Sequence, residues 1–175
     1  MIIPESITFE EAINFTQSLL EKIETGQITD EKLEETLTSL VKSMNGARGF
    51  FVTYLTGDYS CVDNPSQGVI NALQSSPEIV SELMVKNLVM STAMAITHNR
   101  NSDPKMTQNS QKVSQRSANL INKLQLNLLQ EKLQEMAKSL SQNLGEYQEF
   151  LEKWGYDNEQ RQAMYQAVVS CQRSV

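Results

Sequence analysis

The sequence predicts an all-α fold: a six- to seven-helix orthogonal or bundle-like domain with an N-terminal helical hairpin and a long helix in its second half. Three observations point there. Apolar residues recur at three- and four-residue spacing in nearly every segment. Cap residues and glycines stand where those segments start and stop. With seven Gly and four Pro, the chain is also poor in the turn residues of an all-β architecture. Its 175 residues suit one domain and can bury a core without staples. The expected organisation is a single helical domain over 1–175, with 105–145 forming either a protruding arm or a helix pair.

The elements follow in order. Thr8-Phe9-Glu10-Glu11 is a capping box, with Ile7 placed as its hydrophobic staple. Phe9, Ala12, Ile13, Leu19, Leu20 and Ile23 mark one helical face, and Gly26 supplies the stop. Thr29 and Asp30 open a second helix, striped by Leu33, Leu37, Leu40, Val41 and Met44 and ended by Asn45-Gly46. The short link predicts an antiparallel hairpin. Gly49 to Leu55 has strand propensity, but no second β-like run exists to pair with it, so it reads as a short buried helix. Pro65 and Pro77 each follow a cap residue and suit the first position of two more helices, which run to about Leu73 and Ile96. Asn99 to Asp103 is a polar connector. Gln108 to Leu144 is helical in pattern and closed by Gly145, and Glu146 to Trp154 is a short helix closed by Gly155. A capping box at Asp157-Asn158-Glu159-Gln160 starts the last helix, which carries Ala163, Met164, Ala167, Val168 and Cys171.

Within the long segment, Leu126, Leu129, Leu133, Met136 and Leu140 step by three, four, three and four, which is a heptad seam. Upstream, Val113, Ser117, Leu120, Ile121 and Leu124 form a second stripe. At about 100° per residue the two stripes face nearly opposite sides of one continuous helix. Either the helix breaks between Gln125 and Leu128, or its two ends are buried against different bodies. The seam is covered by Phe150, Trp154 and the last helix, or it is an interface with a partner or a second copy.

The formal net charge of -6 argues against nucleic acid and anionic membrane as partners of the whole molecule. The charge is uneven: residues 1–58 carry ten acidic and four basic residues, while 105–145 carry two and six. Lys112, Arg116 and Lys123 flank the upstream stripe, where they can pair with the acidic amino-terminal helices. The most apolar run, Leu83 to Ile96, is cut by Lys86 and Asn87 and is too short for a bilayer. A helix-turn-helix over 65–97 offers only Lys86 to a phosphate. Met1-Ile2-Ile3, followed at once by Pro4 and Glu5, lacks the pattern of an export signal. Cys61 and Cys171 share no metal or redox spacing. A cytoplasmic location is expected, and the Asn14-Phe15-Thr16 sequon is then a chance match.

The catalytic templates find little to match. One histidine cannot build a two-histidine zinc site, and the residue three before His98 is Ala95, which excludes a Glu-x-x-His di-iron motif. His98 near a helix end suits interaction with the last carbonyls, and nothing local activates either thiol as its nucleophilic partner. Glu31, Glu34 and Glu35 read as a solvated face. Met84, Met90 and Met94 read as core of a central helix. Gly46-Ala47-Arg48-Gly49 is either an anion-binding nest or a C-cap and tight turn, and it lacks the Lys-Ser/Thr of a phosphate loop. Around it, Arg48, Tyr54, Asp58 and Tyr59, with His98, form the candidate ligand pocket. No catalytic residue, metal ligand or cofactor is expected.

Asn45 to Leu55, together with Ser75-Ser76-Pro77-Glu78-Ile79-Val80 and Lys86-Asn87-Leu88, resembles an uncharacterised all-helical family of cyanobacterial type. The resemblance implies a cytoplasmic bacterial protein and brings no activity, cofactor or site residue with it. The expected function is therefore binding, as an adaptor, regulator or assembly factor, with self-association through the leucine seam as one form. The alternative is a small-ligand-binding or enzymatic helical protein using the pocket residues.

Overall fold

The computed structural model describes residues 3 and 6–173. Met1, Ile2, Pro4 and Glu5, on which the reading for an export signal rests, lie outside the described residues. Every described element is helical: nine α-helices and one 3-10 turn, where the sequence suggests six or seven helices. Contacts divide the chain into two compact units, Met1–Leu83 and Met84–Val175.

The first unit contains α1 (Phe9–Glu24), α2 (Asp30–Val41), α3 (Met44–Thr56), the 3-10 turn Ser60–Val62, α4 (Gln67–Gln74) and the start of α5 (Pro77–Arg100). Thr8 and Glu11 form the capping box expected at α1, and their reciprocal bonds pull the Glu11 carboxyl below its usual range. The close partner of α1 is α3, and α2 packs on α4 and α3. The hairpin read from the short α1–α2 link therefore needs correction. Glycine decides the pairing. A Cβ on Gly49 would sit 2.4 Å from the Ala12 Cβ, so only a residue without one lets α3 lie this close to α1. Gly46 is similarly pressed on the last turn of α2, where a Cβ would lie 2.0 Å from the Leu40 carbonyl oxygen. Asn45-Gly46 thus ends no helix, and Gly46-Ala47-Arg48-Gly49 is neither nest nor turn. All four lie inside α3, whose N-cap is Ser43. Met44 belongs to α3 as well, and it is exposed.

α4 begins after Ser66 rather than at Pro65. Its first turn is held from outside, because Asp30 accepts hydrogen bonds from the Ser66 hydroxyl and from the Gly68 N–H at 2.8 Å. A neighbouring helix thus supplies part of the cap, which a local sequence pattern cannot reveal. Pro77 does open α5, which runs four residues past Ile96. By length and composition alone α5 could cross a membrane, its most apolar window having a mean hydropathy of 1.4. Core helices pass the same test, and Val80, Met84, Val85, Leu88, Val89 and Ala93 of α5 are buried.

In the second unit α5 is followed by α6 (Pro104–Leu124), α7 (Asn127–Gln142), α8 (Gln148–Trp154) and α9 (Asn158–Cys171). Asp103 caps α6, with Pro104 at its first position. The long segment breaks at Gln125, whose φ of 48° places it in the left-handed region. The stretch 105–145 is accordingly a helix pair, with the 21-residue α6 as the long helix of the second half. α7 packs chiefly on α9 and also touches α8, while α9 reaches α6 as well. Asp157 and Gln160 form the second capping box.

Candidate functional site

The structure separates the expected pocket residues of α3. Arg48 is exposed at its start, with its guanidinium 5.1 Å from the centre of the Phe9 ring, a cation–π contact between α3 and α1. Tyr54 is buried in the core, its ring stacked on Phe50 with centroids 4.8 Å apart. Neither reaches a common opening with Asp58 and Tyr59. Those two meet at the far end of α3, on the lip of an open groove between α1 and α3. Ile13, Gln17 and Glu21 of α1 and Val52 and Thr56 of α3 complete its walls, and its volume is about 730 Å³. His98 belongs to the second unit, half-buried near the end of α5.

Local structure explains why the groove ends as it does. α3 stops at Gly57, whose N–H donates to the Thr53 carbonyl at 3.0 Å. A Cβ there would meet the Tyr59 ring at 2.8 Å, so glycine is what allows the ring to fold back over the helix end. The next turn is tied down by Glu24, at the C-terminus of α1. Its carboxylate accepts from the Ser60 hydroxyl at 2.7 Å and from the Ser60 and Cys61 N–H groups at 3.4 Å. The Ser60 hydroxyl bond chiefly holds the Glu24 carboxyl below its usual range. Asp58 and Tyr59 are thus carried between two anchored helix ends rather than on a loose loop. Along the walls, Ile13, Gln17 and Glu21 repeat every four residues, as do Val52 and Thr56, so each set is one stripe along its helix. The same spacing in the sequence could have flagged the α1 stripe, but only the close α1–α3 packing makes the two stripes face one opening.

Chemically the groove combines apolar side chains from Ile13 and Val52 with carboxylates from Glu21 and Asp58. Its surroundings are acidic too: residues 1–83 hold thirteen acidic and four basic residues. Among the described residues, no group of three or more His, Cys, Asp or Glu side chains is placed to hold a metal ion. Cys171 is buried, and burial pushes its thiol up, away from the reactive thiolate.

The leucine seam takes the inward course. Leu129, Leu133, Met136 and Leu140 are all buried, and Leu126 is half-buried at the N-cap of α7. α9 covers the helix, with Met164, Val168 and Cys171 on its buried face. Tyr147 and Leu151 add cover near α8, whereas Trp154 is 53% exposed and does not. Leu129, Leu133, Met136 and Leu140 are therefore core, because the unit in which they lie already supplies apolar surface against them, while Leu126 is covered only in part.

Residues 8–171 match the family model described as Uncharacterised conserved protein UCP020893. The chain belongs to that family. The match takes in every helix from α1 to α9. No curated protein and no solved structure matches the chain.

Proposed function

We propose that the protein acts by binding, and that the α1–α3 groove receives a positively charged segment of a partner protein. One observation carries the reading: an open groove of about 730 Å³ lined by Ile13 and Val52 and by two carboxylates lies in a unit with a large acidic excess. A cationic amphipathic helix is the complement of such a surface, with its apolar side chains on Ile13 and Val52 and its cations toward Glu21 and Asp58. The groove's shallow, open form suits an extended macromolecular contact better than a small molecule, which is usually enclosed over most of its surface. A cytoplasmic setting accords with Cys61 and Cys171 both standing as thiols rather than joined in a disulfide.

The test uses the whole protein and a designed lysine–leucine amphipathic helical peptide, with its glutamate–leucine counterpart as control. Methyl NMR should show saturable shifts at Ile13 and Val52 for the lysine peptide alone. Raising salt should weaken them, and a Glu21→Gln, Asp58→Asn double variant should reduce affinity by roughly tenfold. Equal response to the acidic peptide, or none at Ile13 and Val52, would overturn the reading. If a simple alkylammonium ion shifts the same methyls as strongly as the peptide, the groove is a small-ligand site instead.

A further inference from the structure

A second cavity lies on the opposite side of α1, where α1 and α2 stand apart. Its volume is about 230 Å³, and its walls include Phe15 and Leu19 of α1, Ile28 of the link, and Lys22, Gln27 and Lys32 at its polar edge. The link that carries Ile28 is set by backbone bonds. Gly26 has a φ of 67°, the Gln27 N–H donates to the Lys22 carbonyl at 2.8 Å, and the Gly26 N–H donates to Ile23 at 3.1 Å. This left-handed helix end turns the chain so that Ile28 faces back toward α1.

The distribution of charge singles this cavity out. The first unit has only four basic residues, Lys22, Lys32, Lys42 and Arg48, and two of them line this one opening. Lys32 reaches Glu35 at 2.6 Å in an exposed pair, which is an interaction worth little and readily exchanged for another carboxylate. Lys22 and Lys32 line the cavity together with Phe15, Leu19, Ile28 and Gln27, a set of residue types that matches an ionised head joined to a short hydrocarbon chain. The volume falls below the usual range for ligand pockets, which restricts the occupant to a small molecule.

From this arrangement we infer that the α1–α2 cavity binds a small aliphatic carboxylate, its chain against Phe15, Leu19 and Ile28 and its head between Lys22 and Lys32. The site is independent of the α1–α3 groove, and either assignment can fail without the other. The experiment titrates the whole protein with octanoate, octanol and octylammonium, followed by methyl NMR at Leu19 and Ile28. Octanoate should give saturable shifts there and raise the melting temperature, and a Lys22→Gln, Lys32→Gln double variant should weaken it by about tenfold or more. Both lysines reach solvent at the cavity edge, so the double variant should still fold, and Phe15→Ala gives a second probe of the hydrocarbon contact. Octanol or octylammonium binding as well as octanoate would overturn the inference. So would undiminished octanoate binding to the lysine variant, or the absence of saturable shifts.

Discussion

Asp157 shows how one side chain can serve two structures. It accepts the Gln160 N–H at 3.0 Å as the N-cap of α9, and it receives Arg100 of α5 at 2.5 Å. Arg100 also donates to Glu159. The Arg100 bond chiefly, and then the Gln160 N–H, pulls the Asp157 carboxyl from 3.8 down to about 2. A carboxyl whose pKa is depressed by folding contributes stability above its unfolded value and loses it as pH falls through the folded one. The loss therefore belongs between about pH 4 and about pH 2. Asp157→Asn should melt below wild type at neutral pH, and the gap should close across that window in a series of thermal melts. A gap that stays constant to pH 2 would show that the ionised carboxylate is not the source. The capping box was legible in Asp157-Asn158-Glu159-Gln160 because its partners are three residues apart. The Arg100 contact was not, since its residues are 57 positions apart. The exposed pair of candidate residues, Arg48 and Asp58, shows the converse. Closeness in sequence grouped them, but the helical steps from Arg48 to the end of α3 at Thr56 already span about 12 Å along the axis, and Asp58 lies beyond that end.

At the scale of elements, the period of the apolar pattern located nearly every helix. It also showed the conflict at the centre of the long segment, where two stripes faced opposite ways. The structure resolves that conflict by a left-handed turn at Gln125, which reorients α7 so that its seam meets α9. Pattern alone left open whether the cover came from this chain or another, because a heptad seam reads the same in either case. Leu133 is wholly buried and provides the test. Leu133→Ala should lower unfolding free energy by about 2–5 kcal/mol in urea denaturation. Its sedimentation coefficient in native buffer should match wild type. A change of mass on substitution would return the seam to the role of an interface. The start of α3 was misread for a different reason. Gly46 and Gly49 have the composition of a stop signal, yet they serve as places where one helix backbone lies against another.

For the molecule as a whole, the division into two units and the uneven charge are the organising facts. Residues 1–83 carry thirteen acidic and four basic residues, and 84–175 carry eight and eleven. Both candidate binding openings lie in the acidic unit, on opposite sides of α1, so α1 is the element on which function would chiefly turn. Its seat against α3 depends on Gly49. Gly49→Ala should cost about 1–3 kcal/mol by overpacking against Ala12. Hydrogen exchange followed by mass spectrometry should show protection falling in α1 and α3 well before it falls in α7 and α9. Uniform loss over both units would mean that they open together.

The sequence by itself determined that this is a helical protein, where α1, α2, α5 and α9 begin, which face of most helices is apolar, and which chemistries its single histidine and two scattered thiols leave without a template. Those properties are local, because caps, periods and breakers act over a few residues. Only the tertiary structure decided that α1 pairs with α3, that the leucine seam is core, and that Asp58 and Tyr59 share a groove with Glu21 while Arg48 and Tyr54 do not. These depend on which backbones can approach one another, and a glycine announces only that approach is sterically open, not which helix will come to fill it.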